Sequence, residues 1–199
     1  QALLREFRRM SRNRGLESGG VECQAATTAD GLNRQWFVGW LIARGATVYC
    51  DAIGNEFGLF ELCPGAPYVM VGSHLDSQPR AVRFDGAYGV LAGATVCAEL
   101  YRAAPSGETE LTYNLCVVNW FNEEGSRFTP SMMGSYVHTG RLELADALAK
   151  AARDGATVAE ELGAEGRAGS GAFPETAGYA ELHVEQGRSM EERELQVGF

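Results

Sequence analysis

Three apolar stretches of this chain each run into groups that bind metals or move protons. Residues 68–72 read as a buried strand followed by His74 and Asp76. Residues 111–120 read as another, followed by Glu123 and Glu124. Residues 179–184 read as a short third strand that contains His183, with Glu185 just beyond it. Asp85 stands at the foot of an apolar helix predicted over Ala87–Ala103. Open α/β sheets place their sites beyond the carboxyl ends of their strands. Parallel neighbouring strands would therefore gather these groups in one crevice. Imidazole and carboxylate suit zinc, manganese, cobalt or nickel. Converging carboxylates repel one another unless a cation lies between them. Two ions about 3.5–4 Å apart can share a carboxylate, hold a hydroxide and polarise a carbonyl.

Taken singly, each piece also has an ordinary structural reading. A histidine at a strand end is commonly a hydrogen-bonded rim residue. Glu123-Glu124 alone fits a solvated turn, and Asp85-Gly86 fits a turn. It is their joint placement at strand ends that points to a metal site. His138, the remaining histidine, follows a helical stretch without an acidic neighbour and reads as structural.

The elements that must position these groups alternate between helix and strand. A short basic helix is expected over Ala2–Met10 and is broken by the Gly/Ser stretch 15–20. Asp30 is a candidate cap for a helix whose apolar stripe is Leu32, Trp36, Phe37, Trp40 and Leu41. Residues 46–51 and 56–62 read as a strand pair turning at Gly54-Asn55. Residues 131–162 read as helical with breaks, 165–175 as a surface loop, and 195–199 as the start of a further strand. The fold class is α/β, a mixed, mostly parallel sheet flanked by helices.

The motifs also carry a family resemblance. Gly72-Ser73-His74-Leu75-Asp76-Ser77-Gln78-Pro79 followed by Arg83-Phe84-Asp85-Gly86, then Asn119-Trp120-Phe121-Asn122-Glu123-Glu124-Gly125-Ser126-Arg127-Phe128, then Glu181-Leu182-His183-Val184-Glu185-Gln186-Gly187, resemble in order the three metal motifs of the metal-dependent amidase/hydantoinase/carbamoylase family. That family includes N-carbamoyl-L-amino acid hydrolases, allantoate amidohydrolases and ureidopropionases, within a larger group of dinuclear-metal exopeptidases. The resemblance implies that Asp85 bridges two divalent ions, with His74 and His183 on one and Glu124 on the other. It implies Glu123 as general base, Asp76 as the group that holds the His74 ring, and Gln186 as a substrate contact. It also makes Asp85-Gly86 a candidate cis peptide. The implied reaction is hydrolysis of a ureido or amide C–N bond, with Glu123 taking a proton from water and returning it to the leaving nitrogen.

Family members are about twice this long. The resemblance therefore divides the chain into a basic helix and linker, residues 1–20, and the N-terminal part of a catalytic domain, residues 21–199. A lid and dimerisation domain, the rest of the catalytic domain and a last metal-binding histidine would lie outside these residues. At most one ion is then expected to be held tightly here, and the family homodimer would form through the absent domain. Two other readings stay open. One is a peptidase or acylamino-acid amidase of the same larger group. The other is a catalytically silent domain with a binding or regulatory role. Ala81, Val82 and Arg188 depart from the usual motif residues and could alter loop geometry.

Composition excludes other classes. The 199 residues are 45% apolar and 22% charged, a globular balance. Net charge is −9, so nucleic acid is not an expected partner, although Arg5, Arg8, Arg9, Arg12 and Arg14 make the first 20 residues basic. No apolar run approaches the roughly 18 residues of a membrane span. Five cysteines without a Cys-x-x-Cys pair, and no leader-like start, lead us to expect a reducing, cytoplasmic setting and a small-molecule substrate.

Overall fold

The computed structural model describes residues 2–13, 15–104, 111–170, 173 and 175–198. Helix α1 (Ala2–Met10) runs into a 3-10 turn at Ser11–Asn13. Its Phe7 and Met10 are buried in the same apolar cluster as Phe37, Leu41 and Leu91. Helix α2 (Thr28–Ile42) is capped by Thr27, whose extended backbone (φ −95°, ψ 163°) lets its side chain accept the Asp30 N–H. This corrects the expectation for Asp30, which already lies in the first helical turn. Its carboxylate is buried and accepts from the Ala26 N–H and from Arg34 Nε, both at 2.9 Å. The expected stripe shifts with it: Leu32 is 45% exposed, while Arg34 is fully buried.

Strands β1 (Thr47–Cys50) and β2 (Glu56–Phe60) form the predicted antiparallel pair. Then follow β3 (Tyr68–His74), α3 (Ala87–Ala103), β4 (Asn114–Trp120), the short helices α4 (Met133–His138), α5 (Leu144–Leu148) and α6 (Val158–Ala164), β5 (Thr176–Ala180) and α7 (Ser189–Glu192). The sheet order is β1-β2-β4-β3-β5. β2 is antiparallel to β4, whereas β3 runs parallel to both β4 and β5. The three strands that precede the candidate residues thus point the same way, and β3 and β4 end level, with His74 opposite Trp120.

Alternation along β4 explains the two faces of the sheet. Val117 faces α3, packing with Val90, Leu91 and Ala94. Cys116, Val118 and Trp120 face the other way, with Phe57 and Met70. A third cluster under α4–α6 gathers Ile53, Phe121, Phe128, Met133 and Leu162. None of the five cysteines is in a disulfide among the described residues. Among the described residues no helix is long and apolar enough to cross a membrane.

Two further expectations change. β5 ends at Ala180, so His183 lies beyond the strand rather than in it. Residues 195–198 form no strand, and Phe199 lies outside the described residues. The 165–175 loop is as expected without helix or strand in its described residues, and two of them reach inward. Arg167 Nη1 donates to the buried Glu56 carboxylate at 3.0 Å, and the Phe173 ring lies 4.5 Å from that of Phe57.

Candidate active site

The loop after β3 places its two acids differently. Asp76 is fully buried beneath the site. Its carbonyl lies 3.0 Å from His74 Nδ1, and its carboxylate Oδ1 lies 3.5 Å from the same nitrogen. Its two carboxylate oxygens accept the N–H groups of Glu123 and Glu124, each at 3.2 Å. One side chain therefore ties the end of β3 to the loop after β4. A carbonyl can only accept, so His74 Nδ1 carries the proton and the neutral ring presents Nε2. His183 does the same, with its Nδ1 2.8 Å from the Val184 carbonyl.

These two Nε2 atoms face acids. His183 Nε2 is 3.3 Å from Asp85 Oδ1, and His74 Nε2 is 3.3 Å from Glu123 Oε2. The imidazoles stack with ring centres 5.8 Å apart. His74, Asp85 and His183 each offer a ligand atom within 4.8 Å of the others, as no other group of histidines, cysteines and acids does among the described residues. Glu124 stands beside them without joining that group. Its Oε2 accepts from Gln78 Nε2 at 2.9 Å, while its Oε1 is buried without a hydrogen-bond partner. A cavity of about 320 Å³ is lined by His74, Asp85, Glu123, Glu124, His183, Val184 and Gln186. Of the groups expected to converge, two are not in its lining: Asp76 lies behind His74, and Glu185 instead accepts the Met190 N–H at 3.0 Å.

The electrostatics are those of an acidic pocket around imidazoles. Burial pulls the His74 imidazolium down. The hydrogen bond and charge of Asp76 and the charge of Glu123 outweigh that and push it up to about 9. At neutral pH a cation must therefore displace a proton from His74. Burial raises Glu123 above the usual carboxylate range; the His74 and His183 charges oppose this, while Asp76 and Glu181 add to it. Glu124 is likewise raised by burial, against the hydrogen bond from Gln78.

Two glycines make the approach possible. Gly86 has φ +60° and ψ −52°, and the Asp85 carbonyl accepts the Ala87 N–H at 2.5 Å across a tight three-residue turn. A Cβ there would lie 2.4 Å from His74 Cε1 and Nε2. The only cis peptide among the described residues is Thr129-Pro130, so Asp85-Gly86 is trans. The reversal comes from the positive φ of Gly86 instead. On α3, a Cβ at Gly89 would lie 2.1 Å from the Leu182 carbonyl, so a bare backbone lets the residue before His183 lie against the helix.

Sequence reasoning passed over Glu181. It accepts from Ser73 Oγ at 2.5 Å and from the Tyr179 hydroxyl at 2.6 Å, and it lines a larger cavity of about 450 Å³ that shares Glu123 with the first. Its place two residues before His183 was the available signal. The ring of His138 packs on Phe57 and Trp120 at the wall of that larger cavity, and burial lowers its pKa.

The chain thus gathers imidazoles and carboxylates beyond three parallel strands of an α/β sheet, and several known proteins resemble it in sequence and shape. No protein-family profile matches the sequence. Over 91% of the chain it is 52% identical to a putative hydrolase of Mycolicibacterium smegmatis, covering 43% of that protein. It is 36% identical to an N-carbamoyl-L-amino-acid amidohydrolase of Rhizobium meliloti, again over 91% of the chain and 43% of the relative. The crystal structure of a hydantoinase/carbamoylase family amidase from Burkholderia ambifaria superposes with a TM-score of 0.87 at 41% identity, over 97% of this chain and 47% of that one. The chain is thus related in sequence and in fold to the hydantoinase/carbamoylase family amidases, and it spans a little under half the length of the relatives it matches.

Proposed function

We propose that this chain carries the metal-binding and proton-transfer residues of a metal-dependent amidohydrolase that cleaves the ureido C–N bond of an N-carbamoyl-amino acid or a related ureido acid. The observation that carries this reading is the convergence of His74, Asp85 and His183 beside the carboxylate of Glu123. The donor set fits a divalent ion. Two Nε2 atoms are held facing inward by hydrogen bonds at Nδ1, an acid lies between them, and the buried, unpartnered Glu124 Oε1 is a further oxygen at the same pocket. His74, Asp85 and His183 would hold the ion, with Asp85 and Glu124 the candidates for a second. An ion bound there lowers the pKa of water and polarises the scissile carbonyl.

The chain's own residues supply the rest. Glu123 accepts the proton of the attacking water and delivers it to the amino-acid nitrogen as that C–N bond breaks. The carbamate released breaks down to ammonia and carbon dioxide. Asp76 keeps the backbone of Glu123 and the ring of His74 in one frame, and Gln186 lines the cavity where a substrate polar group would lie. The Rhizobium relative, named for N-carbamoyl-L-amino acids, supports that substrate class, and cysteines that form no disulfide among the described residues fit the cytoplasmic setting we propose.

The test is side-by-side assay of an N-carbamoyl-amino acid, allantoate and a dipeptide, with and without added zinc, manganese, cobalt or nickel. Metal-dependent release of ammonia from a ureido substrate, at a low rate for residues 1–199 alone, is the expected outcome. Elemental analysis is expected to find no more than one tightly held ion per chain. Hydrolysis of the dipeptide alone would move the assignment to a peptidase, and two tightly held ions with fast turnover would contradict the ligand assignment.

A further inference from the structure

We infer that Asn119 is a positioning residue for the metal site, locking the His74–Asp76 segment in register with Glu123 through a buried polar chain that begins at Arg34. The inference rests on the metal-site reading proposed above. Asn119 is fully buried on β4, opposite Ser73 of β3 and next to the pair formed by His74 and Trp120. Its Oδ1 accepts the N–H of Leu75, the residue between His74 and Asp76, at 2.9 Å. Its Nδ2 donates to Glu56 Oε2 at 2.9 Å. Glu56 is itself held: Arg167 Nη1 reaches its other oxygen at 3.0 Å, and Arg34 Nη1 lies 3.7 Å from Oε2.

The return contact comes from the other strand end. Asp76, in the loop after β3, accepts the N–H groups of Glu123 and Glu124 in the loop after β4. Each loop is therefore fastened by a buried side chain belonging to the other strand's end. A shift of either loop would stretch hydrogen bonds made by the buried Asn119 and Asp76 side chains, and a lost bond to a buried polar group is costly. The chemistry requires an amide at residue 119. It must accept from a backbone N–H and donate to a carboxylate at once. An aspartate there could do only the first and would repel Glu56, and a leucine could do neither.

Zinc binding to the 199-residue chain tests this by calorimetric titration with Zn²⁺ alone. Asn119→Leu is expected to weaken binding about 10–100-fold, the usual consequence of removing a group that orients a metal ligand. Leu91→Ala, which opens a cavity in the apolar cluster on the α3 face and removes none of these polar contacts, is expected to change it less than about twofold while lowering stability. Equal losses in the two variants would reduce Asn119 to a general stability role and overturn the inference. His183→Ala separates the two layers. If it binds zinc as wild type does, the metal reading fails and Asn119 has no site to position. If zinc binding depends on His183 yet ignores Asn119→Leu, the clamp alone fails. Should Asn119→Leu not fold, amide hydrogen exchange in the wild-type chain decides: the Leu75 N–H is expected to be protected as well as that of Val117 in β4, and exchange at the rate of an exposed loop would overturn the inference.

Discussion

Glu123→Gln is expected to lower kcat by about 10²–10⁴-fold while leaving metal content unchanged. The substitution keeps the size and the hydrogen-bonding reach of the side chain and removes only its capacity to take a proton. The Glu123 carboxylate lies 3.3 Å from His74 Nε2, partly open to the cavity, and its backbone N–H is fixed by Asp76. It is therefore held next to the proposed ion without belonging to the group that would bind it. The pH profile provides a second readout. Burial raises the pKa of Glu123, and a base works only when ionised. Activity should rise with pH through that raised value and fall away below it. In Glu123→Gln the residual activity should lose this limb. Unchanged kcat, or loss of metal together with activity, would remove Glu123 from the role of base.

Gly86→Ala is the second large effect, and it acts on binding. The added methyl group would lie 2.4 Å from the His74 ring, where a carbon needs well over 3 Å, and the residue would be forced into a positive φ that costs about 1–2 kcal/mol. His74 is buried against Asp76 and cannot retreat without breaking that contact, so the turn carrying Asp85 must move instead. Two of the three ligands are thereby drawn apart. Zinc affinity is expected to fall by about 100-fold, while the protein still folds. Gly155→Ala serves as a control: it also has a positive φ, +92°, but open space around it. Equal behaviour of the two variants in a zinc titration would mean that only backbone strain, and not the His74 contact, is at stake.

The sequence made much of this legible because the chemistry sits at the ends of apolar runs. The apolar runs 68–72 and 111–120 each hold a strand, although the second starts only at Asn114, and the polar groups following each had to emerge on one edge once β3 and β4 ran parallel. Helix α3 was legible to the residue, because seventeen mostly apolar positions without a proline follow Asp85-Gly86, and its Gly89 and Gly93 do not interrupt the apolar run. What could not be read depends on partners far away along the chain. Arg34 in a helix ordinarily reads as solvated, yet it is buried because Asp30 and Glu56 compensate it, and Glu56 is completed by Arg167, 111 residues further on. Asn119 likewise looked like one more strand residue, since its partner is a backbone N–H on the neighbouring strand's end. The reversal at Asp85-Gly86 was visible as a turn. Its trans peptide and positive φ depend on how closely Gly86 must pass His74, and a local pattern does not encode that distance.

Crystals soaked in cobalt, examined by anomalous scattering at the cobalt edge, test the joint binding of one cation by His74, Asp85 and His183 most directly. One peak in contact with Nε2 of His74, Nε2 of His183 and the Asp85 carboxylate is the result predicted. A peak bound by other residues, or these three side chains unchanged with no ion among them at saturating cobalt, would contradict it.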